Sequence, residues 1–449
     1  MNQETIAAIA TPPGEGAISV IRISGHEAFS IAQKIFTGPV YNYATHTAHY
    51  GKILDKEGET IDSVLLLIMK NPKSYTGEDS VEISCHGGSL VTQKVLQRIY
   101  EAGARPAKPG EFSLRAYLNG KIDLAQAEAV QQLIHAKNEL ALQAAENQLD
   151  GSLSKKIAEF QDNLTGIAAV LEASVDFPEE GLSFATIEEL CQSLEEVYAQ
   201  MEHLHATFHH GKILHAGISL CLLGSPNVGK SSLMNALLGK ERAIVTEIAG
   251  TTRDLLEEEL RLGNLHFRLI DTAGIRATHE VVEQEGIRRS QKMMQEADLI
   301  LLLLDASRSL SENDEKLLNA VPPAKTILVW NKIDLKTSYA PISWPSTVAI
   351  SAKEKIGMEH LRAAIEKLVW KNGPPSKEEV AITQLRHHTA LQNAMERCKT
   401  VITGLKQGVS PELATSDLRS ALNELGTIIG TNVTEDILSS IFSKFCLGK

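Results

Sequence analysis

The residues best suited to chemistry lie in the run Gly224-Ser225-Pro226-Asn227-Val228-Gly229-Lys230-Ser231, continued by Ser232. It follows the apolar stretch Ile218 to Leu223 and precedes an amphipathic segment, the context a phosphate-binding loop requires. Its glycines let successive backbone N–H groups, from Asn227 through Ser232, turn inward around phosphates at a helix N-terminus. Lys230 would then place a cation on the β- and γ-phosphates, and the Ser231 hydroxyl would ligate magnesium. By itself such a pattern can arise by chance in a glycine-rich turn.

Three later motifs stand in matching order. Asp271-Thr272-Ala273-Gly274 ends an apolar strand, where the Asp can hold the magnesium shell and the Gly274 N–H can sense a γ-phosphate. Asn331-Lys332-Ile333-Asp334 follows the strand-like Ile327 to Trp330, and its Asp334 carboxylate can accept hydrogen bonds from guanine N1–H and the exocyclic amine. Adenine offers an acceptor there instead, and a buried carboxylate left unpaired is costly enough to reject ATP. Ser351-Ala352-Lys353 completes a base pocket, so the residues predict GTP binding. These elements resemble the G1, G3, G4 and G5 motifs of translation-factor-related GTPases, and Gly250-Thr251-Thr252-Arg253-Asp254 looks like the G2 element, with Thr252 as second magnesium ligand. Where Ras-like proteins place a Gln to orient water, this chain has Ile275, which has no hydrogen-bonding side chain. Hydrolysis must recruit another group.

The elements that position these residues follow from periodicity. Between Ile6 and about Arg115, short β-branched stretches such as Ala17 to Ile23 and Ser80 to Ser84 alternate with turns, predicting a small α/β domain. Leu153, Ile157, Phe160, Leu164, Ile167 and Leu171 recur at steps of four and three, predicting one face of a helix. Strand-like runs at Ile218–Leu223, Phe267–Ile270, Leu299–Leu304, Thr326–Trp330 and Thr347–Ile350 then alternate with helical ones. Beyond Gly373-Pro374-Pro375 the helical pattern returns, with Leu418, Leu422, Leu425 and Ile429 on one face and Ile437, Ile441, Phe442 and Phe445 on another. Both flanks carry apolar stripes that must be buried, and one helical domain built from both is the economical arrangement. Two separate helical modules are the alternative.

The 449 residues, 43% hydrophobic, suffice for several cores. Subtracting 56 acidic from 44 basic residues leaves −12, so a nucleic acid must be held by a local basic site. The five cysteines, Cys85, Cys191, Cys221, Cys398 and Cys446, are scattered without a C-x-x-C pair, which suits a reducing cytosol. No signal-peptide pattern opens the chain and no apolar run is long enough to span a bilayer, so the sequence predicts a soluble, cytoplasmic protein with no membrane partner.

From residue 5 to residue 449 the chain resembles the MnmE (TrmE) family of tRNA modification GTPases. The resemblance is carried by Ala10-Thr11-Pro12-Pro13-Gly14, Thr76-Gly77-Glu78-Asp79, Cys85-His86-Gly87-Gly88, Pro109-Gly110-Glu111-Phe112-Ser113, Asp123-Leu124-Ala125-Gln126-Ala127-Glu128 and Phe445-Cys446-Leu447-Gly448-Lys449. It implies a multidomain α/β plus all-α fold. Residues 1–120 would form an α/β tetrahydrofolate-binding and dimerisation domain, 121–215 and 376–449 a discontinuous helical domain, and 216–375 an inserted Ras-like P-loop G domain.

The resemblance also implies that the loop Thr246, Glu247, Ile248, Ala249, Gly250, Thr251 and Thr252 lies on the nucleotide. Asn227, Thr246, Ile248 and Thr251 would hold potassium, which supplies the charge an arginine finger gives elsewhere. From the residues alone that loop also reads as a plain surface loop. Glu283 is implied to position the attacking water as a general base, although Glu280, Glu283 and Glu285 also read simply as solvated helix charges. Arg22, Glu82, Lys121 and Lys449 match positions that bind a tetrahydrofolate derivative, 5-formyl- or 5,10-methylene-; Arg22 and Glu82 also read as strand residues facing solvent. Cys446 is either a buried inert thiol or a thiol near the one-carbon unit.

By implication the chain forms a homodimer and, with the flavoprotein MnmG (GidA), a heterotetramer that adds aminomethyl or carboxymethylaminomethyl groups at C5 of the wobble uridine of tRNA. The alternatives are a GTPase switch in ribosome assembly, for which no KH-like Gly-x-x-Gly segment is visible outside the G domain, and a folate-dependent transferase merely regulated by GTP.

Overall fold

A computed structural model of the chain describes residues 4–176, 185–238, 259–263, 265–270, 294–335, 342–370, 373, 376, 380–446 and 448–449. The chain divides into two compact units, residues 1–134, 147–201 and 389–449 in one and residues 135–146 and 202–388 in the other.

The first unit opens with β1 (Ile6–Ile9), β2 (Ile18–Ser24), α1 (Ala28–Ile35), β3 (Thr47–Leu54), β4 (Thr60–Met69), β5 (Ser80–His86), α2 (Ser89–Ala102), β6 (Arg105–Pro106) and α3 (Glu111–Leu118). The six strands form one sheet in the order β3-β4-β5-β2-β1-β6, antiparallel except where β1 meets β6. Alternation along β2 drives Ile21 and Ile23 into the core, where α1 and α2 contribute Ile31, Ile35, Val95 and Ile99. The same alternation puts Val20 and Arg22 on the opposite face. Tyr50 and Leu65, cross-strand neighbours on β3 and β4, are both exposed.

Helices α4 (Leu124–His135), α5 (Glu139–Leu149), α6 (Ser152–Asp176), α7 (Ile187–Ala206) and α8 (Phe208–Ala216) follow. The expected stripe of α6 is buried throughout, from Leu153 and Ile157 to Leu171. In the second unit, β7 (Ile218–Leu223), α9 (Lys230–Leu238), β8 (Glu259–Leu262), β9 (Leu265–Leu269), β10 (Leu299–Asp305), α10 (Glu312–Ala320), β11 (Thr326–Asn331), β12 (Thr347–Ala349) and α11 (Met358–Val369) build an α/β layer. Its described strands lie in the order β12-β11-β10-β7-β9-β8, parallel except for the β8–β9 pair. Leu301 and Leu303 enter the core on one face while Ile300, Leu302 and Leu304 enter the core on the other, which explains why β10 is apolar without alternation.

The chain ends in α12 (Leu385–Lys406), α13 (Pro411–Ile429) and α14 (Glu435–Phe442). Helix α13 packs on α6, and Leu418 and Leu425 are fully buried. Gln161 donates to the Leu422 carbonyl at 3.3 Å, and Arg419 pairs with Glu172 at 2.7 Å. Helices from both sides of the inserted α/β layer therefore share one core. Entry to and exit from the insert are adjacent: the Ile382 N–H donates to Thr207 Oγ1 at 3.0 Å, and a Cβ at Gly211 would collide with the Ile382 carbonyl. No described helix is long and apolar enough to cross a membrane.

Candidate functional site

The phosphate-loop sequence runs between the buried end of β7 and the first turn of α9. Three of its residues have positive φ: Gly224 at 149°, Asn227 at 63° and Gly229 at 99°. A Cβ at Gly229 would strike Asn331 Nδ2, so both conformation and space demand glycine there. Asn331 explains the close approach. Buried at the end of β11, it donates through Nδ2 to the Val228 carbonyl at 2.8 Å and accepts through Oδ1 from the Ala352 N–H at 3.0 Å. One amide thus joins the phosphate loop to the base-side loop.

Lys230 is half-buried, and its Nζ donates to the carbonyls of Gly224 at 2.6 Å and Ser225 at 3.1 Å. Burial depresses its pKa, since these neutral oxygens do little to offset the lost hydration of the ammonium. A phosphate would restore what burial removes. Ser231 and Ser232 are exposed in the first turn of α9. Lys332, at φ 69°, turns its Nζ onto Asp305 Oδ2 at 2.7 Å. Burial works against the ionised form of Asp305, but hydrogen bonds from Lys332 and Ser307 outweigh it and hold the carboxyl below the usual range. Ser351 and Ala352 are buried, whereas the Lys353 side chain is 82% exposed. Among the described residues Asp334 is exposed rather than buried, and a ligand that covers it would supply the expected desolvation of this carboxylate.

A second polar site lies on the open face of the N-terminal sheet. Arg22 and Glu82 are cross-strand partners in the β2–β5 register and form an ion pair at 2.8 Å, with side chains 17% and 21% exposed. The reading of these two as solvent-facing strand residues is therefore corrected: pairing across the ladder withdraws them from water. Arg22 also donates to the Gly448 carbonyl at 3.4 Å and lies over the rings of Tyr75 and Phe112. Lys449 joins them. Burial lowers its pKa and the Arg22 charge adds to the shift, while its carbonyl accepts from the Phe112 N–H at 3.3 Å. Lys121 donates instead to the Pro72 carbonyl at 3.0 Å. Cys446 is exposed while the other four cysteines are buried, which overturns the buried-thiol reading of Cys446.

Beneath this face, Arg115 is 3% exposed and meets Glu78 at 3.0 Å and Glu111 at 3.1 Å. Burial alone would raise the Glu111 pKa, but bonds from Arg105, the Lys108 N–H and Arg115 pull it down to about 2. The motifs at 76–79 and 109–113 thus supply the ionic floor that fixes α3.

The family model of the MnmE helical domain matches residues 124–446, and that of the GTP-binding protein TrmE N-terminus matches residues 5–121. The chain belongs to the MnmE family. It is 62% identical over 447 residues to the tRNA modification GTPase MnmE of Protochlamydia amoebophila, covering 99% of this chain and 98% of that protein. It is 43% identical to the protein of the same name from Clostridioides difficile, covering 99% of each, and 45% identical to that from Moorella thermoacetica, covering 100% of each.

In this MnmE-family chain, several sequence-derived site residues lie outside the described residues: Thr246, Glu247, Ile248, Ala249, Gly250, Thr251, Thr252, Asp271, Thr272, Ala273, Gly274, Ile275 and Glu283. Conversely, Asp305, Arg308 and Asp314 belong to none of the sequence motifs, and Ser225 stands in the phosphate loop without a role of its own. The Ser225 hydroxyl donates to Asp314 Oδ1 at 2.6 Å, and Asp314 closes a capping box with Ser311 at the start of α10. The box is legible in Ser311-Glu312-Asn313-Asp314; its tie to a loop 89 residues earlier is not.

Proposed function

We propose that this MnmE-family chain is a GTP phosphohydrolase acting in tRNA modification. The observation that carries the proposal is the half-buried Lys230 ammonium, folded onto two carbonyls of its own loop and destabilised by burial. A polyphosphate is the ligand that relieves it. Lys230 would move from Gly224 and Ser225 to the β- and γ-phosphates, while the N–H groups of Asn227 to Ser232 close around them. Asp334 would read guanine, with Ser351, Ala352 and Lys353 beside it. Ser231, exposed one residue beyond Lys230, fits a magnesium ligand, with Thr252 as the second. Asn227, Thr246, Ile248 and Thr251 fit a potassium shell of neutral oxygens. Bound at these residues, the two cations would supply positive charge against the phosphates. Glu283 would hold the attacking water, so Glu283→Ala should retain GTP binding and lose most turnover. Unchanged turnover would remove that role, and turnover indifferent to replacing potassium with sodium would remove the ion site.

The same proposal assigns residues 1–120 to folate binding and dimerisation, residues 121–215 and 376–449 to the helical domain, and residues 216–375 to the G domain. Arg22, Lys449 and Glu82 form a compact set of two cations and a carboxylate that fits a glutamyl tail and a pterin donor edge, with Lys121 as a further contact. A tetrahydrofolate derivative would supply the one-carbon unit, and the exposed Cys446 is positioned in sequence beside this set. The open apolar pair Tyr50 and Leu65 supports a homodimer, which would act in the cytoplasm with MnmG on the wobble uridine.

The test is nucleoside mass spectrometry of tRNA from cells with and without the protein. Loss of the C5-modified wobble uridines supports the proposal. Their persistence leaves a nucleotide-binding protein and moves the function to ribosome assembly.

A further inference from the structure

Both sides of the nucleotide site converge on a single surface arginine. On the base side, Lys332 holds Asp305 Oδ2 at 2.7 Å. On the phosphate side, Ser225 holds Asp314 Oδ1 at 2.6 Å. Arg308 stands between the two carboxylates, with NH2 at 3.1 Å from Asp314 Oδ2 and Nε at 3.9 Å from Asp305 Oδ2. Asp305 and Asp314 are 8% and 1% exposed, so each needs donors to stay ionised. Burial disfavours the charged form of Asp314, yet bonds from Ser225 and Ser311, with the Arg308 charge, hold its carboxyl below the usual range.

We propose that Arg308, acting through Asp305 and Asp314, is a positioning residue that couples Lys332, in the base-side motif that carries Asp334, to the phosphate loop at Ser225. Asp314 has one oxygen committed to Ser225 and the other shared by the Ser311 N–H at 2.9 Å, the Ser311 hydroxyl at 2.7 Å and Arg308. Asn313 Nδ2 donates to Ser225 Oγ at 2.9 Å, fixing that hydroxyl from a second side. The Ser225 carbonyl is in turn an acceptor for Lys230. The chain of contacts therefore runs Lys332, Asp305, Arg308, Asp314, Ser225, Lys230, without a gap longer than the 3.9 Å step at Arg308. That step is also the one whose side chain is 39% exposed, so it can be cut without opening the core. Seating guanine against Lys332 would thereby order the loop that receives the phosphates.

The inference rests on the GTP reading, and the experiment separates the two. GDP is titrated calorimetrically into the full chain and into Arg308→Met, Lys332→Met and the double variant, in magnesium and potassium, and the ligand-free melting temperature of each is recorded. Arg308→Met should weaken GDP binding about tenfold and lower the ligand-free melting temperature only slightly, since Ser225 and Ser311 still donate to Asp314 and Ser307 and Lys332 to Asp305. The double variant should lose less than the product of the two single losses, because each cuts the same relay. Ser225→Ala should weaken GDP and show the same shortfall with Arg308→Met. Wild-type affinity in Arg308→Met, or losses that multiply fully, would overturn the relay while leaving the GTP reading intact. If the unmodified chain binds no GDP, the GTP reading fails and the relay fails with it.

Discussion

The two sheets of this protein carry their candidate sites in opposite ways. The N-terminal sheet is largely antiparallel and one of its faces is only partly covered, so strand side chains such as Arg22 and Glu82 can themselves form a site. The inserted sheet is largely parallel and buried on both faces, so its strand interiors are mainly apolar and its site gathers at their ends, where Asp305 and Asn331 close β10 and β11. The first site is consequently made of side chains whose charges are already paired. The second rests on backbone, glycine and Lys230 on neutral carbonyls at its phosphate side, with the Lys332–Asp305 pair confined to its base side. Where the sheet is open, recognition can be built from ion pairs that must be shared with a ligand. Where it is closed, recognition is built at the strand ends, from a helix N-terminus and the lysine beside it.

The largest expected effect tests the closed site. Lys230→Ala should lower GTP affinity by ~100-fold or more and leave 5-formyltetrahydrofolate binding unchanged; calorimetry with both ligands on the same preparation reads the difference. Equal loss of both would break the comparison. Arg22→Ala should do the reverse, weakening the folate by about tenfold while GTP affinity holds, and should destabilise the fold by about 2 kcal/mol because Glu82 loses its partner.

The ionic floor beneath the open face should show in acid. The Glu111 pKa is held at about 2 against an ordinary value of 4.5, so its stabilisation is fully present above pH 4.5 and disappears as pH falls toward about 2. It is worth on the order of 3 kcal/mol. In denaturant titrations across pH, the gap between the unmodified chain and Glu111→Gln should narrow below pH 4.5, and a gap that stays constant would contradict this. Gly229→Ala, forced into a left-handed conformation against Asn331, should destabilise the insert by about 2 kcal/mol and weaken GTP binding. The smallest effect belongs to Lys353→Ala, which should alter GTP affinity by less than about threefold because its side chain is largely exposed.

Legibility in the sequence followed contiguity. The phosphate loop, the Asn331–Asp334 motif and the Ser351–Lys353 motif are short, local and placed at strand ends, so the residues alone announced them. The α6 stripe was equally plain, since helical periodicity depends only on neighbours along the chain. Arg22, Glu82 and Lys449 are separated by most of the sequence, and only the family resemblance selected them. Register then explained the pair: Arg22 stands opposite Glu82 in the ladder. The Ser225–Asp314 tie was invisible for a similar reason. A serine in a loop and an aspartate in a capping box each had a sufficient local explanation, and nothing in either pointed to the other. The exposure of Cys446 was also beyond the sequence, because its apolar neighbours Phe445 and Leu447 favour burial equally well.

The adjacency of Thr207 and Ile382 has a practical consequence for modular construction. Because the two strands of polypeptide that bound the insert are hydrogen-bonded to each other, a linker of a few residues could bridge them with the α/β layer excised. The same junction could accept a foreign domain whose own ends lie close together, such as a fluorescent reporter. The host chain would then be a socket defined by one hydroxyl and one glycine, and Gly211, where any side chain meets the Ile382 carbonyl, is the residue such a graft must keep.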